Sequence, residues 1–462
     1  MSHPLWKPSR RDVLRLGALS ALGAAVPGLA SCGGDSATGG GGGGTKQLQF
    51  MYWGSTFEQK AVNKMLSDFE SDHPGVKVKP LFTPSDYETK LNTLVASNRA
   101  PDVAYMGDST AFRLAESGKL VNFYDYLDKY PALAERLPGT YFWYGEDKLL
   151  GTQTANEIYV LWYNKQTFSD AGVAVPPAEA AKAWSWDDFV ANAYKLTLDQ
   201  NGKRPDENGF DPKKIRQFGC SFGMSNGQMQ AMLESRGVSF FDDKGTTCLL
   251  DTPEAIEVFQ NVADLSYKHH VAPTSVQLGN NAPSTTVQLQ TKRIAMAVDG
   301  QWTLLDLGES NLDFSLGVLP KYGKPITTSL GGATVMFSGS KHPDEAMELY
   351  MYHNDVDKVD LFASGLWMPL DKKSYTDQAA IDSWTKNDVH PAEYRTAAVD
   401  YTLNNSLPLF SQGMKNMDAI NKVMAPAIQQ IDQGKKPAAE VLKPLAKKLN
   451  GLLKGRYPAQ QL

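Results

Sequence analysis

Leu48-Gln49-Phe50-Met51-Tyr52-Trp53-Gly54-Ser55-Thr56 opens the stretch that decides the fold. The apolar, aromatic run from Leu48 to Trp53 reads as a strand. From Phe57 to Glu70 the period changes, with Ala61, Met65, Leu66 and Phe69 at helical spacing until Pro74-Gly75 stops them. Val76-Lys77-Val78-Lys79 alternates with period two, as a strand with one solvated face does. Ser85 to Val95 predicts a second helix, with Ser85 as its cap and Glu88 three residues later. Pro101 to Tyr105 predicts another strand, and Thr110 to Ser117 another helix before Gly118. Strand and helix alternate throughout, the pattern of a parallel sheet with helices on both faces. Ligands of such sheets sit beyond the carboxyl ends of the strands. Those ends are Trp53-Gly54-Ser55-Thr56 and Gly107-Asp108-Ser109, with Ser109 also suited to cap the helix.

Downstream, a second unit begins around Glu157 to Asn164. Trp184 to Leu198 and Pro253 to Tyr267 carry helical spacing, and Arg293 to Val298 is a strand leading into Asp299-Gly300-Gln301-Trp302. Met414 to Leu453 reads as mostly helical, broken at Pro426 and at the Gly434 to Pro437 turn. The 462-residue chain is long enough for two domains after its leader.

Upstream, Arg10-Arg11 precedes an apolar run from Val13 to Ala30, too short and too interrupted for a spanning helix, so residues 1–31 read as an export signal. The arginine pair with Leu14 resembles a twin-arginine signal, whose machinery moves already folded proteins. Leu29-Ala30-Ser31-Cys32 resembles the lipobox of bacterial lipoproteins, which implies a lipid on Cys32 and a place on the outer face of the cell membrane. Gly33-Gly34 and Gly39 to Gly44 make residues 32–46 a flexible tether, and two acyl chains hold a protein stably where one does not.

The net charge of −5 becomes −8 once a signal carrying Lys7, Arg10, Arg11 and Arg15 against Asp12 is removed. No arginine-rich run is present, which argues against nucleic acid as a partner. Histidines show no ligand spacing, so neither a metal nor another cofactor is expected. Cys220 and Cys248 are left either to form a disulfide or to stay as buried thiols.

Several segments stand in a recognisable order. Phe69 precedes His73-Pro74-Gly75-Val76-Lys77-Val78, and Ala100-Pro101-Asp102-Val103 precedes Glu116-Ser117-Gly118-Lys119-Leu120. Leu161-Trp162-Tyr163-Asn164-Lys165, Phe168 and Ala171-Gly172-Val173 follow, then Trp186-Asp187-Asp188-Phe189. Lys292 to Met296 with Gly300 and Trp302, Gly317 to Pro320, Gly331-Gly332 and Gly365 to Pro369 complete the series. From about Gln47 to Leu453 the chain resembles the extracellular solute-binding proteins that feed carbohydrate ABC importers, the group containing maltose-binding and glycerol-phosphate-binding proteins.

The resemblance implies an α/β fold of the type II periplasmic-binding-protein kind. Each of its two lobes is expected to be a mainly parallel sheet flanked by helices, joined through a multi-strand hinge. It divides the chain into an N-lobe over 47–155, a C-lobe over 156–330, an N-lobe return over 331–372 and C-lobe helices over 373–462. It also implies a monomer that captures a mono- or oligosaccharide between its lobes, without catalysis, and docks on a membrane permease.

A sugar is held by carboxylates and amides for its hydroxyls and by aromatic faces for its C–H patches. Trp53, Asp108, Asp299 and Trp302 are candidates by their places at strand ends, each tryptophan being either a stacking face or core filler. Tyr87 resembles a ligand-contacting tyrosine of the family and suits packing as well. Asn156 and Glu157 lie at the first crossover, where relatives contact ligand or hold the hinge. Gly331 and Gly332 lie where the chain recrosses. Trp367 stands where relatives carry an aromatic contact, one residue out of their usual spacing. Asn226 and Lys415 are weaker candidates, and the lack of an arginine between Arg395 and Arg456 argues against a phosphorylated ligand. Two alternatives remain: the same fold binding a polyol, glycerol phosphodiester, amino acid or iron chelate, and a surface-anchored glycoside hydrolase using a carboxylate pair from Asp108, Glu157 and Asp299.

Overall fold

The computed structural model describes residues 44–278 and 282–459. The signal, the arginine pair, Cys32 and all of the tether before Gly44 lie outside them.

The first lobe begins with β1 (Lys46–Tyr52), α1 (Thr56–Asp72), β2 (Val76–Phe82), α2 (Tyr87–Ala96), β3 (Val103–Met106) and α3 (Asp108–Glu116). β1 lies between β2 and β3, parallel to both, as the alternating pattern requires. β4 (Tyr141–Gly145) and β5 (Lys148–Gln153) then add an antiparallel hairpin. The second lobe holds β6 (Glu157–Asn164), β7 (Leu198–Asp199), β8 (Ile215–Phe222), β9 (Ile294–Gly300), β10 (Phe314–Gly317) and β11 (Thr327–Leu330). The chain then returns to insert β12 (Ala333–Met336) between β3 and β5, and later adds β13 (Ser406–Pro408) beside β11. The sheet orders are β2-β1-β3-β12-β5-β4 and β13-β11-β6-β9-β8-β7, with β10 also on β6.

The two-lobed α/β expectation holds, but the sheets are mixed where mainly parallel ones were expected. β12 enters antiparallel because it arrives from the other lobe, and β6 pairs antiparallel with β9, β10 and β11. Other local expectations are corrected too. α2 is capped at Asp86, in a left-handed conformation with φ 53°, while Glu88 accepts the Gly107 N–H instead of closing a capping box with Ser85. Ser109 lies inside α3, whose cap is Gly107. Pro426 sits within an unbroken helix, Met417–Asp432. Its lost hydrogen bond is tolerated because Met417, Ile420, Met424, Ile428 and Ile431 bury one continuous stripe. Cys220 on β8 and Cys248 are buried free thiols, so the disulfide is not formed. Among the described residues no helix is long and apolar enough to cross a membrane.

The candidate cleft between the lobes

β5 ends at Gln153 and β6 begins at Glu157, so residues 154–156 cross between the sheets, and Gly331-Gly332 crosses back between β11 and β12. The two crossings touch: the Thr154 N–H donates to the Gly332 carbonyl at 3.0 Å. A Cβ on Gly331 would sit 2.1 Å from the Ala155 carbonyl oxygen, and Gly332 has φ +58° with the Trp53 ring 3.1 Å from its own Cβ position. Both glycines are therefore demanded by hinge geometry. Trp53 stands edge-on to Tyr87 and Tyr105, half-buried at the hinge end of the cleft.

Three expected contacts are spent on structure. Asn156 is 1% exposed; its amide donates to the Tyr375 hydroxyl at 2.9 Å and its carbonyl accepts from Ser329 at 2.8 Å, while its backbone pairs with Met368. It pins the hinge, and its burial keeps the remaining amide N–H and carbonyl lone pair from a solute. The Tyr87 hydroxyl lies 3.0 Å from the Met51 carbonyl and 2.8 Å from that of Tyr105, joining β1 to β3. Trp367 is 3% exposed and packs against His353 and Tyr105, so it belongs to the core of the first lobe.

Of the other candidates, Asp299 and Trp302 line a cavity between the lobes, and Trp53, Asp108 and Glu157 do not. That cavity, of about 380 Å³, is lined from the first lobe by Ser55 and Glu58 and from the second by residues including Thr286, Asp299, Trp302 and Asp306. Ser55 and Glu58 form a capping box at the start of α1, each side chain bonded to the other's backbone N–H, which fixes Glu58 at the rim. Trp302 lies over Gly300, its ring atoms 2.1–2.2 Å from where a Cβ would stand, and edge-on to Tyr159 at 5.7 Å. Gly300 is thus what lets the indole lie on the end of β9. Asp299 accepts from the Thr285 hydroxyl and from the Gly300 N–H.

Burial raises the carboxyls of Glu58, Asp299 and Asp306 above their usual range, and the charge of Asp306 adds to the effect on Glu58. Glu157, first residue of β6, is pushed well above it by burial and then by Glu58. Asp108 is also raised by burial, against the 2.6 Å hydrogen bond it accepts from Ser411, and stands on a seam between α3 and the segment at 410–413. Asn226 and Lys415 do not line the cavity.

Glu58, Thr286 and Asp306 were not singled out by sequence reading. Glu58 carried a signal, since Ser55-x-x-Glu58 is a capping motif directly after the first strand. Thr286 and Asp306 carried none.

The profile of the family described as bacterial extracellular solute-binding protein matches residues 51–352. An arabinooligosaccharide-binding protein of Halalkalibacterium halodurans is 34% identical over 113 residues, 24% of this chain and 21% of that relative, so the match spans about a fifth of its length. The ABC substrate-binding protein Lmo0181 of Listeria monocytogenes, in complex with cycloalternan, superposes with a TM-score of 0.74 at 20% identity, covering 88% of this chain and 98% of that one. Maltose-bound MalE3 of T. maritima gives 0.71 at 19% identity, covering 88% and 100%.

Proposed function

This chain belongs to the bacterial extracellular solute-binding proteins, and from that premise we propose that it captures a mono- or oligosaccharide between its lobes and delivers it to the permease of an ABC importer. The observation that carries the reading is the cavity walled by both lobes, where the Trp302 indole stands beside carboxylates. Its volume of about 380 Å³ lies within the range of about 300–1,000 Å³ usual for small-molecule sites. Trp302 and Trp53 supply flat faces for C–H patches; Asp299, Glu58, Glu157 and Asp108 supply acceptors for hydroxyls, and Gly331-Gly332 let the lobes close on the solute. The names of the relatives, which bind arabinooligosaccharide, cycloalternan and maltose, agree with it.

In this reading the protein is a monomer without catalysis or cofactor, exported through residues 1–31 and held at the outer face of the membrane by lipid on Cys32. Residues 47–155 with 331–372 form the N-lobe, and 156–330 with 373–462 the C-lobe. Thermal-shift screening against a sugar panel tests the capture, because a ligand that binds only the native state stabilises it by mass action. A panel that moves no midpoint would sink the proposal, and free sugar released from an incubated oligosaccharide would replace binding with hydrolysis.

A further inference from the structure

One surface of the first lobe carries charge opposite in sign to the chain as a whole. Along β1 and the edge strand β2 runs a groove of about 990 Å³, bordered by Lys79 on β2, Lys90 on α2, Arg99 in the turn after it and Lys341 beyond β12. All four are exposed, and among the described residues none has a carboxylate within ion-pair reach, whereas the neighbouring Lys46 and Lys77 pair with Glu345 and Glu70. Asp102 is the one acid bordering the groove, and its oxygens already accept from the Gln49 N–H at 2.7 Å and the Ser340 hydroxyl at 2.5 Å. Local structure does not account for these cations. Lys79 blunts the free edge of the sheet, but Lys90 stands in the first turn of α2, where the helix dipole disfavours a positive charge.

The place of the groove says what covers it. Gln47 borders it, only three residues after Gly44, and Gly44 follows Cys32 by twelve residues. Twelve residues reach at most about 40 Å, so a lipid on Cys32 keeps this side of the first lobe within that distance of a bilayer. The body as a whole, at −8 once the signal is removed, is repelled by an anionic surface. The groove reverses that locally, each basic side chain near such a surface gaining roughly fivefold in occupancy. Its four cations stand on four separate segments, which suits a broad anionic surface better than one small anion. The groove shares no lining residue with the cavity between the lobes, so covering it leaves Glu58, Asp299 and Trp302 free for a solute. We infer that this groove seats the first lobe on anionic phospholipid headgroups beside its anchor. The inference rests on the proposed lipid at Cys32 and adds which side of the body meets the membrane, a second contact that makes a lipid anchor hold more firmly.

The test uses the processed protein reconstituted in vesicles, with the lipid on Cys32 checked by mass. A fluorophore on Thr93→Cys reads the groove, and one on Glu440→Cys reads the exposed side of the helix Ala438–Asn450, which also carries lysines. Cys220 and Cys248 are buried and escape labelling. With spin-labelled headgroups as the quencher and a third of the lipid phosphatidylglycerol, the groove label should be quenched at least twofold more than the helix label. The difference should vanish in pure phosphatidylcholine and in half-molar salt. It should also vanish when Lys79→Gln, Lys90→Gln, Arg99→Gln and Lys341→Gln are combined, with a thermal midpoint close to wild type because all four side chains are exposed. A difference that survives in phosphatidylcholine, or an acylated protein whose helix label is quenched as much as its groove label, would overturn the inference and leave the anchor standing. A processed protein without lipid on Cys32 would overturn both.

Discussion

Trp302 and Trp367 are the same side chain in two opposite surroundings. Around Trp367 the polar neighbours turn toward one another: the His353 ring lies 2.8 Å from the Tyr105 hydroxyl and 3.1 Å from the Asn354 amide, and the Tyr105 carbonyl faces the Tyr87 hydroxyl. Around Trp302, by contrast, Glu58, Asp299 and Asp306 line open space. Packing closes the first region on itself, whereas the second is left incomplete until a solute arrives. What separates a core indole from a binding indole is therefore whether its neighbours face one another or face open space.

The comparison is open to direct attack. Trp367→Ala should cost about 3–5 kcal/mol in chemical denaturation, as buried aromatic truncations do, with any ligand-induced shift retained in the protein that remains folded. A variant of unchanged stability that no longer responds to sugar would move Trp367 into the site.

Acid titration should separate the two regions by sign. Burial holds His353 down at about 3 and His390 at about 4, against an ordinary 6.5. Their contribution is full above pH 6.5 and is lost as the pH falls toward those values, at up to about 1.4 kcal/mol per pH unit for each proton. The cleft acids, raised in the folded protein, act oppositely: their contribution is full below the ordinary 4.5 of a glutamate and is lost as the pH rises through their folded values. His353→Gln should flatten the acid limb of the stability curve, and Glu157→Gln should raise stability at neutral pH. The reverse pairing of effects would refute the contrast.

Trp302→Ala should abolish a ligand-induced midpoint shift, a loss of about 2.7 kcal/mol when the wild type is measured at a hundredfold excess over Kd. Its unliganded midpoint should stay close to wild type; a large fall without ligand would mark Trp302 as core after all. The smallest effect belongs to Tyr87→Phe, which removes one hydroxyl hydrogen bond and should cost about 0.5–1.5 kcal/mol, with titration showing unchanged sugar affinity.

What was legible in the sequence follows from the range of the forces involved. The parallel core β2-β1-β3 came through because hydrophobic period and turn residues are local. Asp299 and Trp302, which line the cavity, could be picked out because they stand at the carboxyl end of β9, where such sheets place ligands. Asn156 did not, because the partners that consume it, Ser329 and Tyr375, lie 173 and 219 residues away. The antiparallel entry of β12 was hidden for the same reason, its pairing being decided by the path of the chain between lobes. Glu58 looked like an ordinary helix residue, and only the approach of the second lobe turns it into a cavity wall.

The reduced sulfurs of Cys220 and Cys248 bear on when this body acquires its shape. Burial pushes both thiols up, leaving little thiolate to react. A core that closes without a crosslink needs no oxidase and should melt at the same temperature with or without reductant. Such a protein can be finished in the compartment where it is synthesised.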